Sequence, residues 1–131
     1  MRFLLDTHVF LWACVEPEKL SETVIEIIEN SQNVLFLSSA SIWEISIKIS
    51  IGKLEILNKS IGFETFIKQC IKDLELIELP ICKEHIFILN TLPNIHKDPF
   101  DRILIAQSIS EDLILITNDS IIKKYNLKTV W

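Results

Sequence analysis

Leu113-Ile114-Leu115-Ile116-Thr117-Asn118-Asp119 is five residues of aliphatic and β-branched chain that stop at a polar step and an acid. A run this short and this apolar reads as a strand buried on both faces, which is the habit of a parallel sheet with helices on either side. Working outward, Arg2 to Leu5 repeats the pattern and also ends on an acid, Asp6, while Val34 to Leu37 ends on Ser38. Leu76 to Leu79 and Lys128 to Trp131 are weaker candidates of the same kind. Between them lie helical patterns over Thr7 to Cys14, Ser21 to Asn30, Ser39 to Ile51, Phe63 to Leu74, Glu84 to Leu92 and Pro99 to Ser110. In one of these, Phe63, Phe66, Ile67, Cys70, Ile71 and Leu74 keep the i, i+3, i+4, i+7 spacing of an amphipathic helix. Short buried strands alternating with helices predict an α/β sandwich around a mostly parallel sheet of about five strands. No repeat or Pro/Gly-rich linker breaks the chain, and its 131 residues suit a single domain.

Composition narrows the function. Hydrophobic residues make up 49% and mean hydropathy is +0.34, yet no apolar stretch approaches the 18 or so residues of a spanning helix. Asp6 and His8 break the apolar N-terminal run before it resembles a secretory signal, so the chain reads as cytoplasmic. Cys14, Cys70 and Cys82 form no C-x-x-C pair and sit among apolar neighbours, which predicts reduced core thiols. A net charge of −5 argues against gripping polyanions by bulk charge, although clustered acids inflate that count and bound cations reverse its local sign. There is no phosphate-cradling G-x-x-x-x-G-K loop and no plausible nucleophilic triad.

In open parallel sheets ligands sit beyond the carboxyl ends of the strands. Asp6, Asp119 and Glu44, in the helix after the second strand, therefore belong to one edge. Taken singly each has a dull reading: Asp6 as a helix cap, Asp119 as a turn residue, Glu44 as a solvated partner of Lys48. The helix over 40 to 51 shows two opposed apolar arcs, Ala40, Trp43, Ile47 and Ile51 against Ile42, Ile45 and Ile49, so it is expected to pack on two sides. Asp98-Pro99-Phe100-Asp101 has the form of a helix start, with Asp98 as cap, whereas Asp101 shares a helix side with Leu104, Ile105 and Ser108 and faces inward. Should Asp6, Glu44, Asp101 and Asp119 converge, each close pair would repel by roughly 4 kcal/mol at an effective dielectric near 20. Such a cluster must protonate or bind cations.

Four segments taken together, Leu4-Leu5-Asp6-Thr7-His8 with Leu11-Trp12, Ser41-Ile42-Trp43-Glu44-Ile45, His96-Lys97-Asp98-Pro99-Phe100-Asp101-Arg102 and Ile116-Thr117-Asn118-Asp119, resemble the PIN-domain family, specifically its VapC-type toxins. The resemblance spans essentially the whole chain in the family's order. It implies a PIN-like three-layer sandwich and a Mg²⁺- or Mn²⁺-dependent endoribonuclease that hydrolyses RNA by a two-metal-type mechanism. The acidic quartet Asp6, Glu44, Asp101 and Asp119 would be the metal ligands, with Thr7, Asp98, Thr117 and Asn118 as accessory groups. It further implies a homodimer silenced by a VapB-like antitoxin. Lys48, Lys53, Lys97 and Arg102 are candidate phosphate contacts, Trp12 and Trp43 are expected in core or partner packing, and His8 in local hydrogen bonding. The competing reading is a non-catalytic module of the same fold whose acidic groove receives a basic peptide. A haloacid-dehalogenase-like phosphatase is disfavoured, because it wants a second Asp where this chain has His8.

Overall fold

In a computed structural model, which describes residues 1–54 and 61–131, five strands pair in parallel in the order β3-β2-β1-β4-β5. They are β1 (Arg2–Leu5), β2 (Val34–Ser38), β3 (Ile77–Leu79), β4 (Ile114–Ile116) and β5 (Thr129–Val130). The helices are α1 (Thr7–Val15), α2 (Glu22–Glu29), α3 (Ser39–Ser50), α4 (Phe63–Asp73), α5 (Lys83–Thr91) and α6 (Pro99–Ser110). This is the α/β sandwich with a parallel five-stranded sheet that the alternation of apolar runs predicts.

Strand alternation sorts the core into two halves. Leu4 lies between Phe36 and Leu115 in register, and these side chains meet Leu104, Ile105, Ile122 and Tyr125 on the α6 side. Phe3, Leu5, Leu35, Leu37 and Ile116 point the other way, onto Val9, Phe10, Val24, Ile67 and Cys70 of α1, α2 and α4. Because neighbouring residues of a strand face opposite sides, an apolar run without polar alternation is what two covered faces require. A third small cluster, Ala40, Ile103 and Ala106, joins α3 to α6. Among the described residues no helix is long and apolar enough to cross a membrane.

Two details depart from expectation. Only Ala40 of the arc Ala40, Trp43, Ile47, Ile51 is buried; Trp43 is 59% exposed and Ile51 58%. Helix α3 thus buries Ala40, Ser41, Glu44 and Ile45, keeps Ile47 half-buried and leaves Trp43 and Ile51 to solvent. Cys82 is exposed, so the expectation of a core thiol fails there, while Cys70 is buried and Cys14 half-buried.

Central β1 is the point where the sheet's order reverses, with β2 to one side and β4 to the other. Connections leave the two strands in opposite directions there, and a crevice opens at their carboxyl ends. Helices α4 and α6 both turn into the next strand through a left-handed residue, Glu75 and Asp112, each at φ 52°. Their following amides close the turn, Leu76 N–H on Ile71 O and Leu113 N–H on Ser108 O, both at 2.9 Å.

Candidate metal centre

Asp6 directly follows β1 and caps α1, accepting from the His8 amide at 3.2 Å through Oδ1. Its Oδ2 accepts from the Thr117 hydroxyl at 2.6 Å, across the crevice from the end of β4. The same Thr117 oxygen accepts the Asp119 amide at 3.0 Å, so one buried hydroxyl, 111 residues from Asp6 along the chain, ties together the acids that follow β1 and β4. Asp119 Oδ1 accepts from the Ile121 amide at 2.7 Å and its Oδ2 lies 3.0 Å from His96 Nε2. That nitrogen is also 3.0 Å from Asp101 Oδ2, on the first turn of α6. Asp98 is the N-cap of α6, its Oδ1 accepting from Phe100 and Asp101 amides at 2.8 and 3.3 Å.

Glu44 enters from α3 and is only 3% exposed. Its Oε2 pairs with Lys48 at 2.7 Å, while its buried Oε1 has no hydrogen-bond partner among the described residues. A buried acceptor with nothing to accept costs on the order of 1–3 kcal/mol, so the fold pays for an oxygen that awaits a donor or a cation. Thr7, also buried, donates to Ser41 Oγ at 2.9 Å and fastens α1 to α3, the helix that carries Glu44.

The charges respond to one another. Burial pushes Asp101 up to about 7, helped by Asp6, Asp98 and Glu44 and opposed by His96. Asp6 is likewise raised by burial, against the hydrogen bonds from Thr117 and the His8 amide, with Glu44 adding to the rise. At Asp119 burial is outweighed by His96 and by the Ile121 and Ile122 amides, so its carboxyl is lowered. Asp6, Glu44 and Asp101 therefore feel one another's charge, and Asp119 is tied to Asp6 through Thr117 and to Asp101 through His96. Asp6, His8, Val9, Trp12, Asp101, Asn118 and Asp119 line the open cavity above them, about 300 Å³. The oxygen-only character of the quartet suits a hard cation such as Mg²⁺.

The PIN domain family model matches residues 3–128, nearly the full length, and its span includes all four acids. The chain belongs to the PIN domain family. No curated protein matches its sequence. Among solved structures this PIN domain is similar to VapBC2 from Rickettsia felis bound to a DNA fragment from its promoter, at 17% identity and a TM-score of 0.75, covering 99% of this chain and 98% of that one. It is also similar to FitAcB from Neisseria gonorrhoeae (17% identity, TM-score 0.64, 100% and 97% covered). VapBC-1 from nontypeable Haemophilus influenzae gives 20% identity and a TM-score of 0.63, with 99% and 97% covered. At such identities the likeness is one of fold.

None of the basic residues named from the sequence lines the cavity of this PIN domain. Lys48 is held by Glu44, and Arg102 donates to Pro93 O at 2.9 Å and to the Tyr125 hydroxyl at 3.1 Å. Lys53 and Lys97 are exposed. Trp12 packs edge-on against Trp131, ring centres 5.8 Å apart, and half-buried reaches the cavity; exposed Trp43 stands on Phe100 at 5.1 Å. Cys82, His85 and Glu111 form a separate gathering at the far end of α6. There the His85 ring is fully used, accepting from the Cys82 amide at 3.1 Å and bonding Glu111 Oε1 at 2.8 Å, as a helix cap and a core histidine.

The residue that sequence reasoning missed is His96. It stands in a quoted motif, but nothing in the sequence says that it reaches Asp119. Its loop is set by Tyr125, whose hydroxyl receives the Ile95 and His96 amides at 3.1 and 2.7 Å besides Arg102. Tyr125→Phe strips the acceptor from all three donors and is expected to cost about 1–3 kcal/mol. Urea unfolding measures the loss, and amide exchange should speed up at Ile95 and His96 ahead of the sheet; unchanged exchange there would refute the latch.

Proposed function

We propose that this PIN domain is a divalent-metal-dependent endoribonuclease of the VapC toxin type, with Mg²⁺ as its metal and Mn²⁺ as a substitute. The observation that carries the reading is the buried acidic cluster itself: Glu44 Oε1 without a partner, beside Asp6 and Asp101, both raised by burial and by their acidic neighbours. A cluster so poorly neutralised by the protein's own donors is built for cations. Asp6, Glu44 and Asp101 would hold the ion, and Asp119 would join them through Oδ2. The metal supplies Lewis-acid polarisation of a phosphate oxygen and activation of water.

The chain's own residues do the rest. Thr117 fixes Asp6 Oδ2 by its hydroxyl, leaving the carboxylate one orientation, and Thr7 with Ser41 holds α3 so that Glu44 stays aimed inward. Asn118, exposed at the cavity rim, would donate to a ribose or phosphate oxygen, and Lys97 lies on the neighbouring loop. The similar solved structures include complexes named VapBC, which supports a VapB-like antitoxin as the partner here. Exposed Ile77, Ile86, Phe87 and Trp43 offer apolar area for such a partner or for a second copy in a homodimer. On this reading the 131 residues form one unit working in the cytoplasm.

The deciding experiment incubates the purified protein with a mixed RNA pool and Mg²⁺. Internal cleavage that stops on chelation and returns with Mg²⁺ is expected. Cleavage indifferent to chelator, or none at all from a folded, antitoxin-free protein, would favour the rival in which the groove only receives a basic peptide.

A further inference from the structure

His96 is held from three sides. Its amide donates to the Tyr125 hydroxyl at 2.7 Å, its Nδ1 accepts from the Asp98 amide at 3.2 Å, and its ring is largely buried, with 11% of the side chain exposed. Because Nδ1 is an acceptor, a neutral ring carries its proton on Nε2. That Nε2–H sits 3.0 Å from Asp101 Oδ2 and 3.0 Å from Asp119 Oδ2, shared between two acids of the quartet.

Neither acid needs the imidazole to hold its place. Asp119 is fixed by the Ile121 and Ile122 amides at 2.7 and 3.4 Å and by its own amide on Thr117. Asp101 is fixed by its position in the first turn of α6, with its amide on Asp98. What His96 adds is a hydrogen-bond donor at the point where two carboxylate oxygens converge. An ion held by both oxygens on that side would lie about 2.0–2.1 Å from each, in the space that the imidazole Nε2–H fills.

We propose that His96 sets the metal occupancy of the site, its Nε2–H holding the oxygens of Asp101 and Asp119 that an ion between them requires, so that an ion enters there only by displacing the imidazole. This rests on the reading of the acidic cluster as a metal site. Its consequence is an asymmetric centre. An ion at Asp6, Asp101 and the unpaired Oε1 of Glu44 would bind first, and the position between Asp101 Oδ2 and Asp119 Oδ2 would fill only at higher metal concentration or when substrate phosphate adds its own charge. His96 is thus neither ligand nor catalytic group; it competes for the ligands.

The test titrates Mn²⁺ into wild type, His96→Ala and His96→Gln at one fixed pH, following heat by calorimetry and free Mn²⁺ by its electron paramagnetic resonance signal. Gln carries an amide N–H to roughly the place of Nε2, so it separates loss of the donor from loss of the ring. Breaking a hydrogen bond to a charged group is expected to be worth about tenfold or more in affinity. His96→Ala should therefore bind the weaker Mn²⁺ about tenfold more tightly, and His96→Gln should return it toward the wild-type value. In chelator, His96→Ala should melt below wild type and His96→Gln should recover. Mn²⁺ affinity that is unchanged in the Ala variant leaves His96 merely structural, and affinity that falls makes it a ligand; either overturns the proposal while the metal site stands. No Mn²⁺ uptake by wild type or by either variant removes the metal site and this inference with it.

Discussion

Asp101→Asn should lower Mg²⁺-dependent RNA cleavage by about a thousandfold while making the metal-free protein more stable at pH 8. The first half follows from taking away an anionic ligand. Lewis-acid stabilisation by a bound ion is worth several kcal/mol, and each 1.4 kcal/mol is tenfold in rate. The second half follows from the same charge seen without its cation. Asp101 is pushed up to about 7 by burial and by Asp6, Asp98 and Glu44, so at pH 8 the folded protein carries a carboxylate that its surroundings disfavour. Asn keeps an oxygen for His96 and removes the charge, and the cap of α6 is untouched because Asp98 makes it. Cleavage of a defined RNA and melting in chelator check both halves. Asp6→Asn should lose cleavage alike and still cap α1, but its amide nitrogen cannot accept from the Thr117 hydroxyl, so no gain in stability is expected there. Full cleavage by either variant would remove the metal-ligand assignment, and a lower melting temperature for Asp101→Asn would show that its charge is neutralised in some other way.

The second large effect is on stability against pH. Asp101 releases its proton near 3.8 when unfolded and near 7 when folded. Between those values the native protein binds more protons than the unfolded chain, so raising the pH through this window lowers stability. The contribution is complete below about pH 4, is lost by about pH 7, and amounts to a few kcal/mol. Asp6, also raised, acts in the same direction. Asp119 is lowered and acts oppositely, its stabilisation present above 3.8 and lost as the pH falls through its folded value. The contribution of these three groups to the chelated protein therefore peaks near pH 4 and falls toward neutrality. Mg²⁺ should lift melting temperature at pH 8 far more than at pH 5, because only ionised carboxylates bind it. A metal effect equal at the two pH values, or chelated stability that rises from pH 5 to pH 8, would contradict the assignment.

How far the sequence foretold this site depends on what fixes each residue. Asp6 and Asp119 were legible because a parallel strand buried on both faces is an unbroken apolar run, and the acid that ends the run must lie at the strand's carboxyl end. Asp101 was legible through its helix: Asp98 and Pro99 mark the start, and Leu104 and Ile105 mark the inward side. Glu44 was half legible. A Lys four residues on suggested a solvated pair, and the pair exists, but the sequence does not show that Ser41 and Ile45 carry the glutamate into the interior with one oxygen unpaired. The two-arc reading of α3 overreached, since apolar periodicity cannot tell a packed face from an exposed one, and Trp43 and Ile51 are exposed. His96 was illegible because its partners are set by the path of the 92–98 loop, which hangs on a tyrosine about thirty residues away.

Placing β1 at the middle of the sheet has a consequence for the order of events during synthesis. Strand β1 is made before the other strands of its sheet and is completed by β4, and the contact between Asp6 and Thr117 closes over 111 residues. At roughly 5–20 residues per second, about 6–22 s pass before the second half of the acidic pocket has even been translated. Until then Asp6 and Glu44 have no Asp101 or Asp119 to meet. A growing or prematurely terminated chain therefore holds only half of the acidic pocket, without the partners that His96 and Thr117 bring to it.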